Sequence, residues 1–322
     1  MRILQYLFTV IILLSLNFFL PRMMPGDPLA YLVGDPAADA PMLLTEEMRA
    51  NLLAYYNLDE PLEQQYLTYL RSILHGDLGW SIYYNAPVSA VLIGRLKWTL
   101  FLGGAAALIY ITLGILLGAI SAWRRGAASD TGLLVAVFAL GSWPPFFLAM
   151  MLLLLLGVRL GLFPIGGARA VQATPQTGLG GVWDVLYHAA LPGLALVLTN
   201  LPGVYLLTRN AMLTILGQGY IRTARAKGAP EWRILFHHGL PNALPPVVAG
   251  LGMRLGHIVM GSIFVEVVFA YPGMGTLLAE ASAARDYPLL QGAFLVVTGC
   301  VLLFNLVADL LHGVLDPRRR WA

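Results

Sequence analysis

Six stretches of this chain, near residues 3–21, 98–122, 132–157, 188–207, 245–268 and 289–315, are each long and apolar enough to cross a bilayer. Such a crossing takes about 20 mostly apolar residues. With 58% hydrophobic and only 11% charged residues, against about 25% charged in a soluble domain, the chain lacks the polar surface to cover a soluble core. Its solvent is therefore a membrane. The expected fold is an all-α polytopic membrane protein with six transmembrane helices. The run Ile3 to Leu20 follows Met1-Arg2 and could serve as a signal peptide. It leads into Pro21-Arg22-Met23-Met24-Pro25 with no small-residue cleavage site, so it is expected to stay as the first helix.

Charge placement sets the orientation. With both termini cytoplasmic, the inner segments hold 11 of the 20 basic residues, Arg2, Arg124, Arg125, Arg209, Arg222, Arg225, Lys227, Arg233 and Arg318 to Arg320 among them. Nine of the 17 acids fall instead between Asp27 and Asp77, in the first outer segment. The net charge of +3 is thus a topology signal, and no nucleic-acid partner is implied. Four regions follow: a first transmembrane helix (1–21), an extracytoplasmic helical insertion (22–97), a five-helix core (98–315) containing a cytoplasmic segment (209–243), and a cytoplasmic tail (316–322).

In the insertion, Thr45-Glu46-Glu47 suits a helix N-terminus. Pro61 opens a second helix with Leu62, Tyr66, Leu70, Ile73 and Leu74 at helical spacing, ended by Gly76-Asp77-Leu78-Gly79. These helices are expected to pack on the membrane part or meet a partner. Prolines punctuate the spans: Trp143-Pro144-Pro145 breaks the third, and Pro192-Gly193 and Pro202-Gly203 interrupt the fourth. Each break either lines a protein-walled cavity or is a static kink. Gly114-x-x-x-Gly118 and Gly252-x-x-x-Gly256 permit close helix contact.

The inner segment 220–243 reads as two short helices around a hinge. The first ends at Gly228 in a left-handed cap. Pro230 and Glu231 begin the second, and Leu240-Pro241 closes it before the fifth span. Such an element offers a compact surface to a soluble partner.

Here the sequence resembles the permeases of ABC importers, specifically the peptide and nickel transport group. Ala224, Gly228, Leu240 and Pro241 occupy the places of that group's signature loop. The broad importer pattern has glutamate six residues before the glycine, where this chain has Arg222; the run Arg222-Thr223-Ala224-Arg225-Ala226-Lys227-Gly228 is similar to the peptide and nickel form. Further matches are Pro25-Gly26-Asp27-Pro28, Gly76-Asp77-Leu78-Gly79, Asn242-Ala243-Leu244-Pro245, Glu266, Tyr271-Pro272-Gly273-Met274-Gly275, Arg285-Asp286-Tyr287-Pro288 and Asp316-Pro317-Arg318. Two departures, Tyr55-Tyr56-Asn57-Leu58-Asp59 and an extension over 35–43, both lie in the insertion.

The resemblance implies a type I ABC importer permease fold in a bacterial cytoplasmic (inner) membrane. It implies a second permease subunit, two cytoplasmic ATPases that bind ATP and Mg, and an extracytoplasmic solute-binding protein. No cofactor is expected on this chain. The helix around 220–228 would dock on an ATPase, with Arg222 to Gly228, Leu240 and Pro241 as the coupling residues and Arg225 and Lys227 as charge contacts. Di- or oligopeptides are the first substrate class, and nickel or a metal chelate the alternative.

The chain itself lacks the means for other chemistry. Its only lysines, Lys97 and Lys227, follow Leu96 and Ala226, so no phosphate-binding loop is present. No histidine precedes a glutamate, and Gly79-Trp80-Ser81 is followed by Ile82-Tyr83, which leaves protease signatures incomplete. Adjacent His237-His238 point about 100° apart on a helix and do not chelate one ion. The lone Cys300 sits in an apolar run as packing. An ion-coupled carrier is the competing class, because Asn305, Asp309 and His312 share a helix face and Arg254 and His257 lie three apart. A structural network, Asp309 with an arginine, is the favoured reading of these groups. Glu266, near the outer end of the fifth span, either faces the pathway mouth or holds a helix contact.

Overall fold

The computed structural model describes residues 2–23, 59–170, 178–255 and 257–315, with side chains described for 8–23, 59–170, 178–248, 250–251 and 261–307. The helix start at Thr45, the extension over 35–43 and the motifs at Pro25, Tyr55 and Asp316 lie outside these residues. So do Gly256 and the side chains of Arg254, His257, Asp309 and His312.

Among the described residues the regular elements are helices, apart from one two-stranded ribbon. The elements are α1 (Arg2–Arg22), α2 (Leu62–Leu74), β1 (Trp80–Ser81), β2 (Ala86–Pro87), α3 (Val88–Trp123), α4 (Ala128–Gly141), α5 (Pro145–Leu152), α6 (Leu179–Leu216), α7 (Gly219–Ala226), α8 (Glu231–Arg233), α9 (Leu240–Leu255), α10 (His257–Val268), α11 (Met274–Ala284) and α12 (Tyr287–Leu315). Two wide π turns, Leu153–Arg159 and Ile234–Gly239, continue α5 and α8. Among the described residues, Val88–Trp123, Leu179–Leu216 and Tyr287–Val307 are long and apolar enough to cross a membrane. A fourth crossing is available if Ala128–Gly141 and Pro145–Arg159, bent by 98°, form one broken span. The stretch of the expected first span lies in α1, where Phe8–Arg22 is a shorter apolar helix, and that of the expected fifth is divided between α9 and α10.

Two expectations about proline divide here. At Pro144-Pro145 the helix breaks: Pro144 adopts φ −58° and ψ 139° as the cap, and Pro145 starts α5, since each proline lacks a donor and Pro145 forces the residue before it out of the helical region. At Pro192 and Pro202 the expected interruption does not occur, and α6 runs unbroken through both. A single proline deletes one hydrogen bond, and a helix held by neighbours on several sides absorbs the loss. Both prolines are buried.

By packing, the chain falls into two compact units. One comprises Met1–Lys97 with Thr276–Gly299, the other Trp98–Gly275 with Cys300–Ala322. In the first unit, α2 lies against α1. Arg22 donates to the Gln65 amide oxygen through Nε (3.0 Å) and Nη2 (2.9 Å), the Ser15 and Tyr66 hydroxyls bond at 2.7 Å, and Asn17 Nδ2 donates to the Tyr69 hydroxyl at 3.0 Å. The face of α2 turned inward is therefore Gln65, Tyr66 and Tyr69, while Leu62 and Leu74 of the expected apolar stripe are exposed.

The motifs of this unit are turn chemistry. Gly76 and Gly79 have φ of 74° and 80°, which favours glycine, and Asp77 accepts from the Gly79 N–H at 2.9 Å. Asp286, fully buried, caps α12 by accepting the Leu289 N–H (3.0 Å) and holds the ribbon through the Ser81 hydroxyl (2.6 Å) and the Tyr83 N–H (2.9 Å). Beside it, Tyr84 bonds Glu280, and Arg95 donates to the Glu280 carboxylate at 3.0 Å. Burial and the Glu280 carboxylate push the Tyr84 hydroxyl up to about 12, so it stays a donor at neutral pH.

In the second unit, α6 is the central helix, packed by α4, α5, α9 and α10. Leu102, Ala106, Tyr110, Leu191, Ala195, Val204, Val247 and Phe269 fill its core. Gly118 earns its place by close approach: a Cβ there would lie 2.6 Å from the Tyr205 carbonyl and 2.9 Å from Thr208 Cβ, as the Gly114-x-x-x-Gly118 spacing leads one to expect.

Candidate functional site

The segment singled out in the sequence is a helix, a turn and a second helix. In α7 the last carbonyls are satisfied by a Schellman cap: the Gly228 N–H reaches the Arg225 carbonyl at 2.9 Å and the Ala229 N–H the Ala224 carbonyl at 3.2 Å. The cap requires a left-handed residue, and Gly228 supplies it with φ 78°. Pro230 then caps α8, with Glu231 in the first turn.

The second helix does not end at Leu240-Pro241. It widens into the π turn Ile234–Gly239 and runs on as α9. Pro241, Pro245 and Pro246 each lack a donor, so three carbonyls of this stretch lose their α-helical partners. The wide turn lets the helix continue instead of stopping. The anticipated pair of short helices is thus one short helix and one long one.

One side of this segment is anchored and the other is open. Ile221 and Ile234 are fully buried, and Leu235 packs with Ala119, Ala122, Met212 and Ala243, with Leu240 half-buried against them. Arg222, Thr223, Arg225, Ala226, Lys227, Gly228 and Pro241 are exposed and Ala224 half-exposed, and Tyr220 and Trp232 show large apolar surfaces outward. Arg225 turns back onto its own chain: its Nε lies 3.5 Å from the Glu231 carboxylate and its guanidinium 5.2 Å from the Trp123 ring centre. It braces the two helices against α3. His237 and His238 set their rings 89° apart.

Below the segment lies a charged cluster that the sequence reading missed. Arg209 on α6 grips Asp130 on α4 with two bonds, Nε to Oδ1 at 3.0 Å and Nη2 to Oδ2 at 2.9 Å. Ser121 on α3 donates to Asp130 Oδ1 and bonds the Tyr205 hydroxyl at 2.6 Å, and the Gly126 N–H caps Oδ2 at 3.1 Å. The aspartate side chain is 4% exposed and the arginine 13%. Three helix ends are tied at one point. A usable signal existed: Asp130 and Arg209 are opposite charges at the ends of apolar runs. Nothing local shows that they meet.

Of the polar residues marked in the spans, only Glu266 and Asn305 have described side chains. Arg254 lies on α9, His257 on α10, and Asn305, half-buried, on α12 with Asp309. The acid–arginine pair that the described residues show among the spans is Asp130 with Arg209. Glu266 is fully buried and accepts the Gly275 N–H at 2.6 Å, while the Thr99 hydroxyl accepts the Met274 N–H at 2.8 Å. It therefore holds the Tyr271-Pro272-Gly273-Met274-Gly275 turn. Gly273 sits where any Cβ would strike the Glu266 carboxyl and the Thr99 hydroxyl, and a Cβ on Gly275 would lie 2.5 Å from the Ile263 carbonyl. Tyr271, buried, meets Trp98 edge-on at 5.9 Å.

The sequence that builds this geometry has known relatives. The family described as binding-protein-dependent transport system inner membrane component matches residues 114–321, which spans α7 through the π turn and the Asp130–Arg209 cluster. The chain is 36% identical over 321 residues to the dipeptide transport system permease protein DppB of Escherichia coli (strain K12), covering 95% of this chain and 93% of that protein. It is 36% identical to the di/tripeptide transport system permease protein DppB of Pseudomonas aeruginosa, again over 95% and 93%. It is 34% identical to the oligopeptide transport system permease protein AppB of Bacillus subtilis, over 94% and 92%. The buried anchors, the left-handed cap and the full-length match agree, and the chain belongs to the inner membrane permeases of binding-protein-dependent transport systems.

Proposed function

We propose that this chain is one of two permease subunits that form the pathway of an ATP-driven importer for di- or oligopeptides, handed over by an extracytoplasmic binding protein. What carries the reading is the likeness along nearly the whole chain to three permeases named for dipeptides, di/tripeptides and oligopeptides. Nickel or a metal chelate has no such support among these relatives. Six spans with both termini cytoplasmic accord with the basic inner segments. Two ATPase subunits bind ATP and Mg on the cytoplasmic side, and the exposed face of α7, from Arg222 to Gly228, docks on one of them. Leu240 and Pro241 lie where the docked element joins α9. An ion-coupled carrier has no need of a binding protein, and family membership sets that reading aside.

The test is to tag the chain, extract it from its native membranes in mild detergent and assay ATPase activity. A second permease and ATPase subunits should co-purify, with activity raised by the binding protein loaded with a dipeptide. A chain that comes out alone, yet moves solute under a proton gradient, overturns the reading. The same assay tests the docking face. A Cβ on Gly228 meets nothing within 4 Å, so Gly228→Trp fills open space beside the cap. Gly228→Trp should assemble but lose stimulated ATPase activity, whereas Gly228→Asn, which tolerates the left-handed backbone, should keep most of it. Equal stimulation in both removes Gly228 from the docking face.

A further inference from the structure

The helix α2, expected to pack on the membrane part or meet a partner, packs far down α1. The last charged residue of α1 is Arg22, and the contact of Tyr66 with Ser15 lies seven residues inward. At 1.5 Å per residue this is about 10 Å along the helix axis. The rings of Phe18 and Tyr66 meet at 5.2 Å, Phe18 and Tyr69 at 5.4 Å, and Phe19 stacks on Tyr66 at 5.9 Å. These contacts lie within the last two turns of an apolar helix whose Phe8, Ile11, Leu16 and Leu20 are exposed.

The uncovered arc of α2 sets two leucines beside the exposed Glu63, Gln64, Thr68 and Arg71. Leu67 is 65% exposed and Leu74 86%, seven residues apart and so on one face. Between α2 and α1 opens a cleft of about 430 Å³ lined by Phe19, Leu62, Tyr66 and Leu67, with Glu63 at its rim. The inward face, by contrast, carries Gln65 and its bonds to Arg22. Leucines and charged side chains on one exposed arc, next to an apolar cleft, suit a lipid boundary, where apolar groups meet acyl chains and charged ones meet headgroups.

From the depth of these contacts we infer that α2 lies in the outer lipid boundary of the membrane, and that the cleft beside Phe19 and Leu67 takes the acyl chain of a phospholipid. Leu67 and Leu74 face lipid, Glu63 and Arg71 flank them toward the headgroups, and Tyr66 and Tyr69 sit at the interface as such rings prefer. Through these contacts α2 is pinned to the bilayer surface.

Photo-crosslinking reads this directly. The photoreactive residue p-benzoyl-phenylalanine is placed at Leu67 or at Leu74 of the whole transporter in native membranes, with Phe8 as a lipid-facing control. After irradiation, the mass of the chain is measured. Both positions should gain the mass of one phospholipid, as Phe8 does. A crosslink from Leu67 and Leu74 to a second protein would assign this face to the binding protein or the other permease and overturn the proposal. So would the absence of any adduct while Phe8 gives one, since the face would then be in water. The readout needs no transport, so it stands or falls apart from the peptide reading.

Discussion

Asp130→Ala destabilises the folded chain by about 3 kcal/mol, and Arg209→Ala does so to a similar degree. Either change leaves the opposite charge covered and without its bidentate partner (2.9 and 3.0 Å), with Ser121 and Tyr205 still aimed at the gap. The loss falls at the lower end of what breaking a buried pair produces, because the Arg209 side chain keeps 13% of its surface exposed. The double substitution to Ala should be less harmful than the two single losses added together, since neither charge is then stranded. Apparent unfolding temperatures of the purified transporter in detergent measure all three. Additive losses below about 1 kcal/mol each, the size expected of an exposed pair, would show that the cluster does not hold the helix ends.

Gly275→Ala has a larger effect, about 3 kcal/mol or more, at the top of the range for overpacking. Its Cβ would lie 2.5 Å from the Ile263 carbonyl and 2.6 Å from the Ile263 Cα, and backbone cannot swing aside as a side chain does. Gly273→Ala follows closely, because its neighbours, the Glu266 carboxyl and the Thr99 hydroxyl, are themselves buried and bonded. Gly104→Ala, in α3 with open space around its Cβ, supplies the contrast. It should be neutral or slightly stabilising, as replacing a helical glycine by alanine usually is. Yield and thermal stability of the three variants, prepared side by side, separate crowding at the turn from a general intolerance of glycine replacement.

What could be read in the sequence was local. The Gly228 cap, the Pro61 and Pro230 starts and the paired glycines around Asp77 follow from the conformations that these residues allow, and the apolar runs follow from length. The misreadings come from tertiary contacts. Pro192 and Pro202 look like breaks only if the helix stands alone, and packing around α6 removes that condition. Leu240-Pro241 looks like a stop until the wide turn before it is seen. Residues 88–97 fall outside the expected second span because Arg95 and Lys97 lower their apolar character, yet they open α3. Asp130 and Arg209 are 79 residues apart, and no periodicity connects them. Glu266 was legible as a buried acid with two possible uses. Only the bond to Gly275 assigns it to the turn.

The π turn at Ile234–Gly239 also sets the phase of the long helix. Such a turn takes in one extra residue, and one residue of an α-helix is worth about 100° of rotation. Side chains before it, such as Trp232, and side chains after it, such as Ala243 and Val247, therefore belong to two separate helical wheels. A single-residue deletion between Ile234 and Gly239 would merge the wheels and turn Trp232 to another side while Ala243 and Val247 kept their packing. Length at this one turn, and not composition, decides which way the leading end of the helix looks.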